Sequence, residues 1–124
     1  MSFCTAINCM DGRTQLPVNQ YLCSLLGVQF VDTITEAGPV KILAEEQNSQ
    51  IARSILNRVD VSLNKHKSRT IAVVAHYDCA GDCVSEDIQL QQLEIAIKWL
   101  TEKYPGVRII GLWMDSNWIV KAVF

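Results

Sequence analysis

The sequence predicts an α/β fold: a three-layer sandwich whose mostly parallel sheet has the order 2-1-3-4, with an antiparallel C-terminal strand added. Three observations predict it. Short apolar runs alternate with longer segments of helical periodicity, the pattern of parallel strands covered on both faces. Right-handed crossovers leave few arrangements, and the common doubly wound order sets the first and third strands side by side. Two stretches rich in reactive side chains, Cys9-Met10-Asp11-Gly12-Arg13 and His76-Tyr77-Asp78-Cys79, each end an apolar run. With 124 residues the chain has length for one core, so a single domain over 1–124 is expected.

Each element has its own signal. Residues 2–8 form a short, bounded apolar run that suits a buried strand. The CMDGR stretch reads as a loop, after which Pro17 suits the first position of a helix. Val18, Tyr21, Leu22, Leu25 and Leu26 then recur at three and four, and Gly27 stops the helix. Val28–Thr35 is β-branched and strand-like, and Glu36-Ala37-Gly38-Pro39 is a turn. Over 40–64, Leu43, Ile51, Ile55, Val59 and Leu63 share one helical face. Thr70–Ala75 is a buried strand. Ser85 caps the next helix, whose first turn carries Glu86 and Asp87 and which ends at Pro105-Gly106. Val107–Met114 is the fourth strand; a tight turn at Asp115-Ser116 leads to a fifth over Asn117–Phe124.

Composition narrows the function. The chain is 49% hydrophobic and 19% charged, with net charge −2 and no basic block, so nucleic acid and anionic membranes are not expected partners. No apolar run is long enough to span a bilayer. The N-terminal stretch lacks the pattern of a secretory signal, so a cytoplasmic location is expected. Five cysteines, an odd number, read as thiols and metal ligands and not as a disulfide framework.

In the predicted order Cys9 ends the first strand and His76 the third, at the carboxyl edge where open α/β sheets bind ligands. His76 and Cys79 can chelate one ion from a single loop, and Cys9 supplies a third ligand from the neighbouring strand. One imidazole and two thiolates suit Zn²⁺, and three protein ligands leave a fourth position for water. Asp11 or Cys83 are the alternatives for that position. Read as an extended segment, Asp11 and Arg13 share a face and can pair, which keeps the carboxylate ionised. Cys4 and Cys23 read as apolar thiols, and His66 as a surface residue. Trp99, Trp113 and Trp118 read as packing or subunit-contact residues. A cysteine phosphatase is excluded because only three residues separate Cys9 from Arg13, and one is a carboxylate. No G-x-G-x-x-G follows the first strand, and no C-x-x-C is present.

The pair C-x-D-x-R and H-x-x-C, in this order and separation, resembles the β-class carbonic anhydrases. Glu36-Ala37-Gly38 resembles that family's Asn-Ala-Gly turn, with Glu36 in place of Asn, and Ala80 stands where the family has Gly. The resemblance covers most of the chain. It implies that Cys9, His76 and Cys79 bind Zn²⁺ and that Asp11 and Arg13 form the catalytic dyad. The implied reaction is reversible hydration of CO₂ to bicarbonate by zinc-bound hydroxide, in a homodimer or higher homo-oligomer. Two other readings stay open. One is hydrolysis of carbon disulfide or carbonyl sulfide on the same site; the other is a non-catalytic zinc-binding domain.

Overall fold

A computed structural model describes the whole chain, residues 1–124. The elements run β1 (Phe3–Cys9), α1 (Gly12–Leu26), β2 (Phe30–Glu36), α2 (Pro39–Glu45), α3 (Gln50–Lys65), β3 (Thr70–His76), α4 (Glu86–Lys103), β4 (Arg108–Met114) and β5 (Val120–Ala122). The five strands pair in the order 2-1-3-4-5, parallel except for the antiparallel β4–β5 hairpin. This is the predicted topology.

Alternation along the strands sends side chains to two cores. On one face Ile7, Ile34, Ile71 and Val73 meet Val40 and Leu43 of α2, Ile55 and Val59 of α3, and Leu93 and Leu100 of α4. On the other, Cys4, Ala6, Val74, Leu112 and Met114 meet Val18 and Leu22 of α1. Leu22 is fully buried there. Truncating such a residue to alanine costs about 2–5 kcal/mol.

Three boundaries differ from expectation. The first helix starts at Gly12, not Pro17: Asp11 is its N-cap, accepting from Arg13 N at 2.9 Å, and Pro17 lies inside the helix. Its ring removes only the bond to the Arg13 carbonyl, close to a terminus where such bonds are already missing. The expected helix over 40–64 is two helices. Ser49 caps the second by accepting from Ala52 N, and this local cap wins over continued periodicity. The last strand keeps only Val120–Ala122, because Asp115 commits 115–119 to a loop. Its side chain accepts from Asn117 N at 2.8 Å and Ile119 N at 3.1 Å.

The sheet also creates the cleft. β1 pairs β2 over seven residues and β3 pairs β4 over seven, but β1 pairs β3 only from Thr5↔Ile71 to Ile7↔Val73. The two central strands part before they reach Cys9 and His76, and the space between them is the switch-point crevice.

Candidate metal centre

Cys9 and His76 close their strands and are buried; Cys79 follows two residues later, also buried. The two sulfurs and the imidazole each offer one ligand atom, and all three atoms lie within 4.8 Å of one another. The sulfurs are 3.9 Å apart. His76 is oriented by its own loop: Nδ1 lies 2.8 Å from the Tyr77 carbonyl, which fixes the proton on Nδ1 and leaves Nε2 as the free donor. Nε2 is buried and has no hydrogen-bond partner. A buried imidazole nitrogen left unpaired beside two thiols is the arrangement a metal completes. The donor set fits Zn²⁺, which favours thiolate and imidazole in tetrahedral sites.

Electrostatics agree with a site built for a cation. Hydrogen bonding from the Cys79 thiol holds the Cys9 thiol well below its ordinary range, while the shared proton pushes Cys79 up. Burial disfavours the His76 cation, yet the Cys9 thiolate and the Tyr77 carbonyl more than offset this, so the net shift is upward. Two buried sulfurs thus share one proton, which a bound divalent ion would displace.

Buried and partly buried polar side chains fix the backbone around the donors. Gln89 on α4 donates to the His76 carbonyl at 2.9 Å, and Gln15 on α1 donates to the Cys9 carbonyl at 2.7 Å. Thr14 adds a bond of 2.8 Å to the Asp11 carbonyl. None of these three stands out in the sequence as a site residue. Their only signal was a polar residue on an otherwise apolar helix face. The ligand loop is clasped to the β2–α2 turn, where Gly38 (φ +65°) and Gly81 touch backbone to backbone. A Cβ on Gly81 would meet Ala37 C at 2.4 Å, and one on Gly38 would meet Gly81 C at 2.7 Å.

Asp11 and Arg13 do pair, but through a helix cap and not along an extended segment. Arg13 Nε lies 3.0 Å from Asp11 Oδ1 and Nη2 lies 2.6 Å from Oδ2. Hydrogen bonds from Arg13 hold the Asp11 carboxyl down at about 2. Neither Asp11 nor Cys83 belongs to the three-atom donor cluster; Cys83 is exposed and its thiol faces the Ala80 carbonyl at 3.3 Å. Glu36, in place of the expected Asn, pairs with Arg58 of α3. A cavity of about 210 Å³ opens at Cys9, Met10, Asp11, Ala37, Ala80 and Gly81. His66 is far from this end, half exposed, with Nδ1 2.7 Å from Asp32 and its ring stacked on Phe3.

An open α/β sheet with a Cys-His-Cys donor cluster at its switch point defines a class, and the comparisons give the family. The chain belongs to the family described as "Putative carbonic anhydrase", whose model matches residues 1–124. Among curated proteins, none matches it in sequence. Solved structures share its fold. The β-carbonic anhydrase CafA of Aspergillus fumigatus aligns with TM-score 0.59 at 13% identity, covering 98% of this chain and 74% of that one. A structure from a report on two tetrameric β-carbonic anhydrases of Sordaria macrospora aligns with TM-score 0.60 at 14% identity, covering 98% and 80%. No helix is long and apolar enough to cross a membrane.

Proposed function

We propose that this chain is a zinc-dependent carbonic anhydrase, a lyase that reversibly hydrates CO₂ to bicarbonate. The observation that carries the reading is the donor cluster: Cys9, His76 and Cys79 within 4.8 Å, with His76 Nε2 unpaired. Those three residues would hold Zn²⁺, which when bound supplies a Lewis acid that acidifies water near neutral pH.

The protein's own groups supply the rest. Asp11, kept ionised by Arg13, accepts a hydrogen bond from the attacking water and aims an oxygen lone pair at the substrate carbon. Ala37, Ala80 and Gly81 give the cavity a small apolar wall, which suits a short linear molecule without hydrogen-bond donors. Water adds to CO₂, bicarbonate leaves, and one proton must depart. His66 stacks on Phe3 at the other end of β1, so solvent or buffer takes that proton.

Family membership and the fold of β-carbonic anhydrases support the reading. The tetrameric relatives support a homo-oligomer, as do Met10, Leu16 and Ile119, all more than half exposed. Five free cysteines go with a reducing, cytoplasmic location.

Stopped-flow CO₂ hydration with a pH indicator tests the proposal. Turnover far above that of free zinc is expected; a rate equal to free zinc assigns the site to a non-catalytic domain. Sulfide release from carbon disulfide without CO₂ hydration would assign the sulfur-analogue hydrolase instead.

A further inference from the structure

Arg13 is gripped on three sides, and Asp11 accounts for only one. On the adjoining edge, Nη2 also donates to the Asp78 carbonyl at 3.1 Å and Nη1 lies 3.3 Å from Asp78 Oδ2. Across its face lies the Trp118 ring, with the guanidinium carbon 5.1 Å from the ring centroid. The three grips come from three segments: the N-terminus of α1, the loop after β3, and the β4–β5 hairpin.

The backbone marks the same two partners. Only three non-glycine residues have positive φ, and two of them are Asp78 (+56°) and Trp118 (+62°). Trp118 N donates to the Asp115 carbonyl at 3.0 Å and Asp115 N to the Ile119 carbonyl at 3.0 Å. In a hairpin loop of this kind, a turn is followed by a left-handed residue, and glycine is the usual occupant. A bulky aromatic in that conformation is an outlier. Such strain persists where the surroundings compensate for it, and it concentrates at functional sites. At 42% exposure, Trp118 is not placed there to fill a core. What it touches is the guanidinium.

We propose that Trp118 is a positioning residue: its ring and the Asp78 carbonyl lock Arg13, and Arg13 so locked keeps the Asp11 carboxylate away from the metal donors. The inference rests on the reading of Asp11 and Arg13 given above. Without the platform, Arg13 turns outward and Asp11 is free to take the fourth metal position. The hairpin thereby sets the balance between an open and a self-blocked site.

Trp118→Gly separates this role from folding, because glycine relieves the left-handed strain while removing the platform. The thermal midpoint of the zinc-loaded variant should stay level or rise. The Arg13 Nε–H, followed by ¹⁵N NMR, should exchange with solvent about three- to fivefold faster, the scale of one lost exposed cation–π contact. In the Co²⁺-substituted variant, the visible absorption should respond less to added thiocyanate than in the parent protein, since Asp11 then competes for the open position. Trp118→Phe should restore both signals. Unchanged Nε–H exchange and an unchanged cobalt response in Trp118→Gly would overturn the proposal, as would a lowered midpoint with no restoration by Phe. A parent protein that takes up no cobalt would instead strike the metal reading, and the Nε–H exchange would still decide the clamp.

Discussion

β1 carries a cysteine near each end, and the two thiols differ in every respect that bears on chemistry. Cys4, near the amino end, is buried among apolar side chains, and burial pushes its pKa up to about 11. Cys9, at the carboxyl end, faces a second thiol and an imidazole and is held low. The polar groups around them differ in the same way. At the amino end Thr5 Oγ1 lies 2.7 Å from Ser62 Oγ and donates to Ser68 at 2.8 Å, while Ser62 donates to Asp32 at 2.7 Å. Asp32 also meets His66, and no side-chain atom of this network is buried without a partner. At the carboxyl end His76 Nε2, both amide atoms of Asn8 and both oxygens of Asp82 have none. One end is tied together by side-chain hydrogen bonds; the other gathers buried polar atoms around the Cys-His-Cys cluster. His66 is thus tied to a carboxylate at one end, while His76 at the other keeps a buried Nε2 unpaired beside two thiols.

Substitutions at the two ends should act on different measurements. The largest effect belongs to the donors: Cys9→Ser or His76→Ala should reduce zinc in purified protein to background by elemental analysis, and His66→Ala should leave it at the parental level. Equal losses from both histidines would erase the distinction between the ends. Next, Asp11→Asn should keep its zinc yet hydrate CO₂ about 10²-fold more slowly in stopped flow, the low end for losing a positioned acid–base group. Zinc lost along with rate would make Asp11 a ligand. At the amino end, Ser62→Ala should lower unfolding free energy in urea by about 1–3 kcal/mol, because Asp32 and Thr5 each lose a buried partner. Zinc content and turnover should not change.

The smallest effect is a slope. The folded thiol of Cys4 holds its proton up to about pH 11, whereas the unfolded one releases it near pH 9. Its folded pKa is raised, so the stability it contributes is fully present below pH 9 and declines as pH rises toward 11. Cys4→Ala should flatten the fall of the melting temperature over that interval.

Much of this was legible in the residues. Strand order followed from four apolar runs and handedness rules, and it placed Cys9 and His76 on the same edge. The Cys-His-Cys set followed from spacing and softness. What escaped were features decided by local polar competition. Asp11 reads as part of a loop because Gly12 and Pro17 mask the helix start, yet its side chain caps that helix. Ser49 broke a helix whose apolar period ran straight through the break. Trp118 reads as a packing or subunit-contact residue, since a lone aromatic near a turn carries no sign of its left-handed backbone conformation. Gln15 and Gln89 bond to backbone carbonyls at the ends of other elements, and no sequence period reports such a bond.

The contact between Gly38 and Gly81 carries a consequence for how such a protein can change over generations. The obstacle to a side chain is main chain, that of Gly81 at Gly38 and that of Ala37 and Gly38 at Gly81, so no exchange of side chains elsewhere relieves a substitution at either one. A descendant that replaces one of these glycines must part the two loops, and the cavity walled by Ala37, Ala80 and Gly81 changes shape with them. The pair therefore works as a gauge: one glycine stands in the cavity wall and the other, behind it, sets how far that wall can move.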